Sequence, residues 1–231
     1  PVAAVHLAVA PRLIPRLHVV TDDSVLARAN FVSIAQSVLR EGGRELALHI
    51  RAPHTSGATV YETAEELLEV ANESRACLQL NDRVDVMLGL GHDEEGKRSG
   101  VHLGRRSLPA AAARGLVGRD TLMGCSTHDR AEVEKAVAGG ADYVLFGHVF
   151  ATPSHEDESE SGVDGLAAAV RAAGDVPVIA IGGIGPLRVD EVVSAGAHGV
   201  AVLRGVWDAP APQEAVRDYI SALARPIGRR G

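Results

Sequence analysis

Four of the chain's ten histidines, His49, His102, His128 and His148, stand at or just past the ends of short apolar runs, where an imidazole can give or take a proton near neutral pH. Any one of them alone also fits as a hydrogen-bonded rim residue. His148 carries the most chemical promise. It follows Tyr143-Val144-Leu145-Phe146-Gly147 on the parity of Val144 and Phe146, which the reading takes as the inward-facing set, and Gly147 leaves room beside it. A second pattern is glycine where apolar runs end: Ile181-Gly182-Gly183-Ile184 and Val202-Leu203-Arg204-Gly205 put backbone amides where an anion such as phosphate could be held. A rival chemistry has the four imidazoles converge on one metal ion. Against it, the first apolar run holds no His-X-His, the supporting lysine and aspartate are missing, and Arg51 and Arg204 bring positive charge to the same region. The expectation is a site with no metal.

Positioning these residues requires alternating strands and helices. Strand-like runs recur at Leu17 to Thr21, Leu46 to Arg51, Ala76 to Leu80, Val101 to Gly104, Thr121 to Ser126, Tyr143 to Val149, Pro177 to Ile181 and Gly199 to Leu203. Between them Phe31, Ile34, Ala35, Val38 and Leu39 fall at helical spacing, as do Tyr61, Ala64, Leu67, Leu68 and Ala71, and later Val189, Val192 and Val193. Runs such as Val178-Ile179-Ala180-Ile181 are apolar at successive positions, so both sheet faces are buried and the strands are parallel. Eight such units close into a (β/α)₈ TIM barrel, an α/β fold in a single domain, whose C-terminal mouth would collect the candidate residues. An open doubly wound sheet is the alternative, but its first turn would carry a glycine fingerprint where this chain has Thr21-Asp22-Asp23-Ser24.

Length and composition agree with one domain: 231 residues, 46% hydrophobic and 23% charged. The barrel is expected over 16–231 and a loose extension over 1–15. Segments Gly89 to Gly100 and Ala151 to Gly162 read as long connections, the second as a lid over the mouth. A net charge of −7 with scattered basic residues argues against nucleic acid. No run approaches the roughly 20 apolar residues of a membrane span. Two cysteines, Cys77 and Cys125, are too few for a disulfide framework, which points to a cytoplasmic protein.

Over nearly its whole length the chain resembles the thiamine phosphate synthase and TenI superfamily. The matching pieces are His49-Ile50-Arg51, Asn81-Asp82-Arg83-Val84-Asp85, Val101-His102-Leu103-Gly104, Ser126-Thr127-His128, the run from Gly140 to Phe150 and that from Val178 to Ile184. The resemblance implies a TIM barrel, a homodimer, and one of two activities. A synthase joins a pyrimidine pyrophosphate to a thiazole phosphate and needs Mg²⁺ and several cations. Its second strand typically ends in Gln-x-Arg-x-Lys, its fourth is followed by Gln-Glu-Asp, and its sixth loop contains Thr-Lys. This chain has His49, Arg51 and Pro53 at the first, Arg105-Arg106-Ser107 at the second, and Ser154-His155-Glu156-Asp157 near the third.

Those departures, with Phe146-Gly147-His148-Val149-Phe150 in place of Gly-Pro, favour the other branch, a thiazole tautomerase that aromatises a thiazole phosphate by proton transfer with no cofactor. The expectation is therefore an isomerase that has lost synthase activity, with a synthase or a non-catalytic regulator as alternatives. In that reading His148 is the acid–base residue, and Arg51 pairs with the substrate carboxylate. Ile181, Gly182, Gly183, Val202, Leu203, Arg204 and Gly205 surround the phosphate. His49, Asn81, His128 and Gly147 line the substrate.

Overall fold

A computed structural model of the chain describes residues 13–91, 99–152 and 160–225. Most of the expected extension, and much of both long connections with Ser154, His155, Glu156 and Asp157, lie outside the described residues. Eight parallel strands close into a barrel in the order of the chain, β1 (Leu17–Val20), β2 (Leu46–Ile50), β3 (Cys77–Asn81), β4 (Ser99–Leu103), β5 (Leu122–Thr127), β6 (Tyr143–Gly147), β7 (Val178–Ile181) and β8 (Gly199–Val202), with β8 paired back to β1. Helices surround them: α1 (Asp23–Leu26), α2 (Phe31–Gly42), α3 (Gly57–Ser74), α4 (Val84–Gly89), α5 (Ala110–Val117), α6 (Arg130–Ala138), α7 (Gly162–Ala173), α8 (Val189–Ser194), α9 (Arg204–Trp207) and α10 (Pro212–Leu223). The strands match their sequence-level limits within two residues.

Strand alternation divides the apolar residues into two bodies. The larger joins Val19, Leu48, Leu78, Val101, Val144, Phe146, Val178 and Val200 to helix residues such as Phe31, Ala35, Leu67 and Val216, and so lies between barrel and helices. The smaller, of Ile14, Val20, Ala47, Cys77, Leu122, Tyr143, Leu145, Ile179 and Ala201, contains no helix residue and fills the barrel interior. Inward positions on β6 are therefore Tyr143, Leu145 and Gly147. This corrects the parity argument for His148: Val144 and Phe146 face the helices, and His148 lies beyond the strand's end.

The ring of Tyr143 crosses the interior because Gly124 on β5 has no side chain; a Cβ there would collide with the Tyr143 ring. Gly124→Ala should force the buried ring aside and destabilise the protein by about 1–3 kcal/mol, the usual range for overpacking a core. Denaturant unfolding of the variant reads this, and an unchanged midpoint would show that the interior has slack.

Candidate active site

Strand ends deliver the site. Past β1, the Thr21 amide donates to the His49 carbonyl at 3.0 Å; its hydroxyl donates to the Arg51 carbonyl at 3.1 Å and accepts from the Arg51 amide at 2.9 Å. The backbone of Arg51 is thus fixed while its exposed side chain lines a cavity of about 210 Å³ shared with Asn81, Asp82, Arg83 and Arg106. The three arginines come from loops after β2, β3 and β4. Asp82 has a left-handed backbone (φ 62), held by its amide on the His102 carbonyl at 2.8 Å and by its carboxylate, which accepts from the Gly104 amide at 2.7 Å. Arg83 forks onto Asp85 at 2.9 and 2.6 Å, which holds the Asp85 carboxyl below the usual range. Gly57 opens α3 without a side chain where a Cβ would meet the Arg83 guanidinium.

On the opposite side of the mouth, Gly182 (φ 103) and Gly183 (φ 65) adopt positive-φ conformations that residues with a side chain rarely take. Both are also crowded: a Cβ on Gly182 would collide with His148, and one on Gly183 with the Ala151 carbonyl. The amides of Val149 and Phe150 donate to Ile181 and Gly182 at 2.8 and 3.1 Å, so the chain past β6 is strapped onto the exit of β7. After β8, Val206 and Trp207 return their amides to the Leu203 carbonyl, and the amides of Arg204 and Gly205 precede them with no backbone acceptor among the described residues. Tyr219 of α10 ties the two loops together. Its hydroxyl donates to the Ile184 carbonyl at 3.0 Å and occupies the space a Gly205 side chain would fill, and burial pushes the phenol up to about 12, so it stays a donor.

Beneath the mouth the interior is polar. His18 lies on β1, with its Nε2 3.0 Å from the Pro15 carbonyl and its Nδ1 2.8 Å from Nε2 of His49. Nδ1 of His49 stands 3.0 Å from the Asn81 side chain. His102 reaches the Ser126 hydroxyl at 2.8 Å and that of Tyr143 at 3.2 Å, and Tyr143 donates to Gln79 at 3.4 Å. Burial pushes the His49 imidazole down to about 4. Burial, then neighbouring imidazoles, drives His18 and His102 well below the usual value, and burial raises the Tyr143 phenol.

Several expected site residues are thereby separated. Arg51 and Asn81 share the arginine-lined cavity, whereas Gly147 is buried under the Ile181 carbonyl and His148 is buried against Gly182. His128 turns to α6, its amide and Nδ1 reaching Glu132 at 2.8 and 3.1 Å. His49 is enclosed, with both ring nitrogens engaged below the cavity floor. Among the described residues no three histidine, cysteine or carboxylate side chains are grouped to hold a metal. A second cavity of about 290 Å³ lies at the other end of the barrel, where Arg114 pairs with Asp142 at 2.7 Å and with the carbonyls of Gly118, Thr121 and Gly140; that guanidinium pins loops. His18 and Arg83 are not among the candidates read from the sequence, where Arg106 enters only through the Arg105-Arg106-Ser107 departure from the synthase pattern. The inward parity of His18 and the position of both arginines directly past strand ends were the available signals.

A sequence model of the thiamine monophosphate synthase family matches residues 17–206. The chain belongs to that family. It is 35% identical over 208 residues to a putative thiamine-phosphate synthase of Geobacter sulfurreducens, covering 90% of this chain and 93% of that one. It is likewise 35% identical over 213 residues to the thiamine-phosphate synthase of Chlorobium limicola, covering 92% and 96%. A bifunctional ThiM/ThiE protein of Symbiobacterium thermophilum is 36% identical over 95% of this chain, which spans 44% of that protein's length. Among solved structures, thiamine phosphate pyrophosphorylase from Pyrococcus furiosus superimposes with a TM-score of 0.75 at 29% identity, over 90% of this chain and 95% of that one. These findings overturn the expected isomerase. The relatives of this family member are named as synthases, so the inference of lost synthase activity, drawn from missing motif residues, does not stand.

In this thiamine monophosphate synthase family member the three interior histidines are neutral when folded but take protons once unfolded, as pH falls below about 6.5. Their contribution to stability is complete above that pH. It is lost progressively toward about 4, where His49 charges in place, while burial keeps His18 and His102 neutral and costing stability as the pH falls. Denaturant midpoints measured between pH 7.5 and 4.5 should fall steadily below 6.5, and a flat profile would show the histidines to be solvated.

Proposed function

We propose that the protein is a thiamine-phosphate synthase, joining a pyrimidine that carries a pyrophosphate leaving group to a thiazole phosphate. The observation that carries this reading is the cavity in which Arg51, Arg83 and Arg106, from three successive βα loops, surround one space beside Asn81 at the C-terminal mouth. A pyrophosphate leaving group needs its charge held as the bond to carbon breaks, and guanidinium forks are suited to phosphate oxygens. The thiazole phosphate is assigned to the amides of Gly182-Gly183 and Arg204-Gly205, with Ile181, Val202 and Leu203 as the wall. No helix among the described residues is long and apolar enough to cross a membrane, and both substrates are small polar anions.

In this reaction the carbon–oxygen bond to pyrophosphate breaks with its electrons going to the leaving oxygen. The lone pair of the thiazole nitrogen then forms the new carbon–nitrogen bond. That nitrogen bears no proton, so no general base is required, and His148, buried against Gly182, serves to seat the phosphate loop. The superfamily resemblance also implies Mg²⁺. The described residues do not fit a two-carboxylate magnesium site: among them Asp82 is the one carboxylate lining the cavity, it is already engaged by the Gly104 amide, and Ser107 stands where the synthase pattern has aspartate. The arginines are the groups at hand to carry the charge.

Purified protein given the two substrates should form thiamine phosphate and pyrophosphate. Arg106→Ala, at an exposed position, should fold normally and lose about 10²-fold in kcat/KM for the pyrimidine pyrophosphate, the scale of losing one oxyanion donor. Absence of product with the wild type, or an Arg106→Ala variant of full activity, would contradict the proposal.

A further inference from the structure

The His18–His49–Asn81 chain fixes more than packing. Nε2 of His18 faces a carbonyl, which only accepts, so it must carry the proton; Nδ1 of a neutral His18 is then an acceptor and must receive Nε2–H of His49. A neutral His49 has no second proton. Its Nδ1 is an acceptor, yet Oδ1 of Asn81, also an acceptor, stands 3.0 Å away. Two acceptors repel at that distance. A half-turn of the carboxamide, which leaves its shape unchanged, replaces Oδ1 with Nδ2–H and completes the chain.

We infer that His18 and His49 form a neutral imidazole relay that holds the Asn81 carboxamide with its NH₂ turned inward and its carbonyl toward the arginine-lined cavity. Asn81 lines that cavity, so the end of its amide not spent on His49 belongs to the cavity wall. The titratable groups facing the pair are the His102 ring on β4, 5.1 Å from that of His49, the Tyr143 phenol on β6, its ring 4.9 Å from that of His18, and the His198 imidazole, which with His49 opposes a proton on His18; among the described residues no carboxylate is hydrogen-bonded to either imidazole. Burial of both imidazoles acts in the same direction.

The consequence is a division of labour in the cavity. Asn81 offers an acceptor, able to steady an arginine fork or a substrate N–H, and cannot donate to an anion. Anion donors are left to Arg51, Arg83 and Arg106. His18 and His49 are positioning residues that act through Asn81, which gives the histidine in place of the synthase-pattern glutamine a role without substrate contact. Only the identity of the anion as pyrophosphate rests on the proposed function.

The test is nitrogen NMR of the uniformly ¹⁵N-labelled protein at pH 7, with histidine and asparagine side chains assigned through bonds. The inference expects both His18 and His49 as neutral Nε2–H tautomers, with a coupling across the hydrogen bond between Asn81 Nδ2 and His49 Nδ1. A His49 that is doubly protonated, or protonated on Nδ1, would overturn it. Asn81→Asp supplies a second readout: an acceptor-only carboxylate should draw a second proton onto His49 at pH 7, and a His49 that stays neutral would count against the chain. Neither measurement needs substrate, so a failure of the synthase assay leaves both informative.

Discussion

A closed barrel of eight parallel strands lets only alternate side chains enter its interior, and every polar atom placed there has lost water and must find a partner. This chain fills the space with His18, His49, His102, Tyr143, Gln79 and Asn81, and no buried side-chain nitrogen or oxygen among the described residues is left unpartnered. A buried donor or acceptor left unmet costs about 1–3 kcal/mol, so the network admits few arrangements. That constraint reaches the surface. The same hydrogen bonds that satisfy the interior set the floor of the mouth, through Asn81 on β3 and Ser126 on β5.

Above that floor the mouth has two halves made by different means. One is electrostatic, with three guanidiniums on successive loops, Thr21 fixing the backbone of Arg51 and Asp85 holding the side chain of Arg83. The other is made of backbone. Gly182 and Gly183 at positive φ, the straps from Val149 and Phe150, and the Tyr219 hydroxyl shape two loops after β7 and β8.

Much of this was legible beforehand. Parallel strands buried on both faces announce themselves as unbroken apolar runs, and the helical stripes between them are regular, so the eight units and their limits could be read directly. The glycine turns after β7 and β8 were legible because glycine at a strand end marks a backbone bend or a close approach. What failed was parity on β6. Val144-Leu145-Phe146 is apolar throughout, as a strand buried on both faces must be, so hydropathy could not tell helix-facing from interior positions: Val144 and Phe146 face the helices, and His148 lies past the strand's end. His18 stayed hidden for a related reason: a polar residue inside a barrel shows its purpose only when its side-chain partner, here His49 at 31 residues' remove, is known.

Function misled more than fold did. Missing lysines do not amount to a missing activity when another loop can bring positive charge, and Arg106 lines the same cavity as Arg51 and Arg83. The account stands on that substitution of guanidinium for the expected cations, and calorimetric titration of inorganic pyrophosphate into the protein, in the presence of a chelator, tests it most directly. It predicts one pyrophosphate bound per chain without added magnesium, and affinity lowered at least tenfold in Arg106→Ala. Binding that appears only with magnesium, or that is indifferent to Arg106, would contradict it.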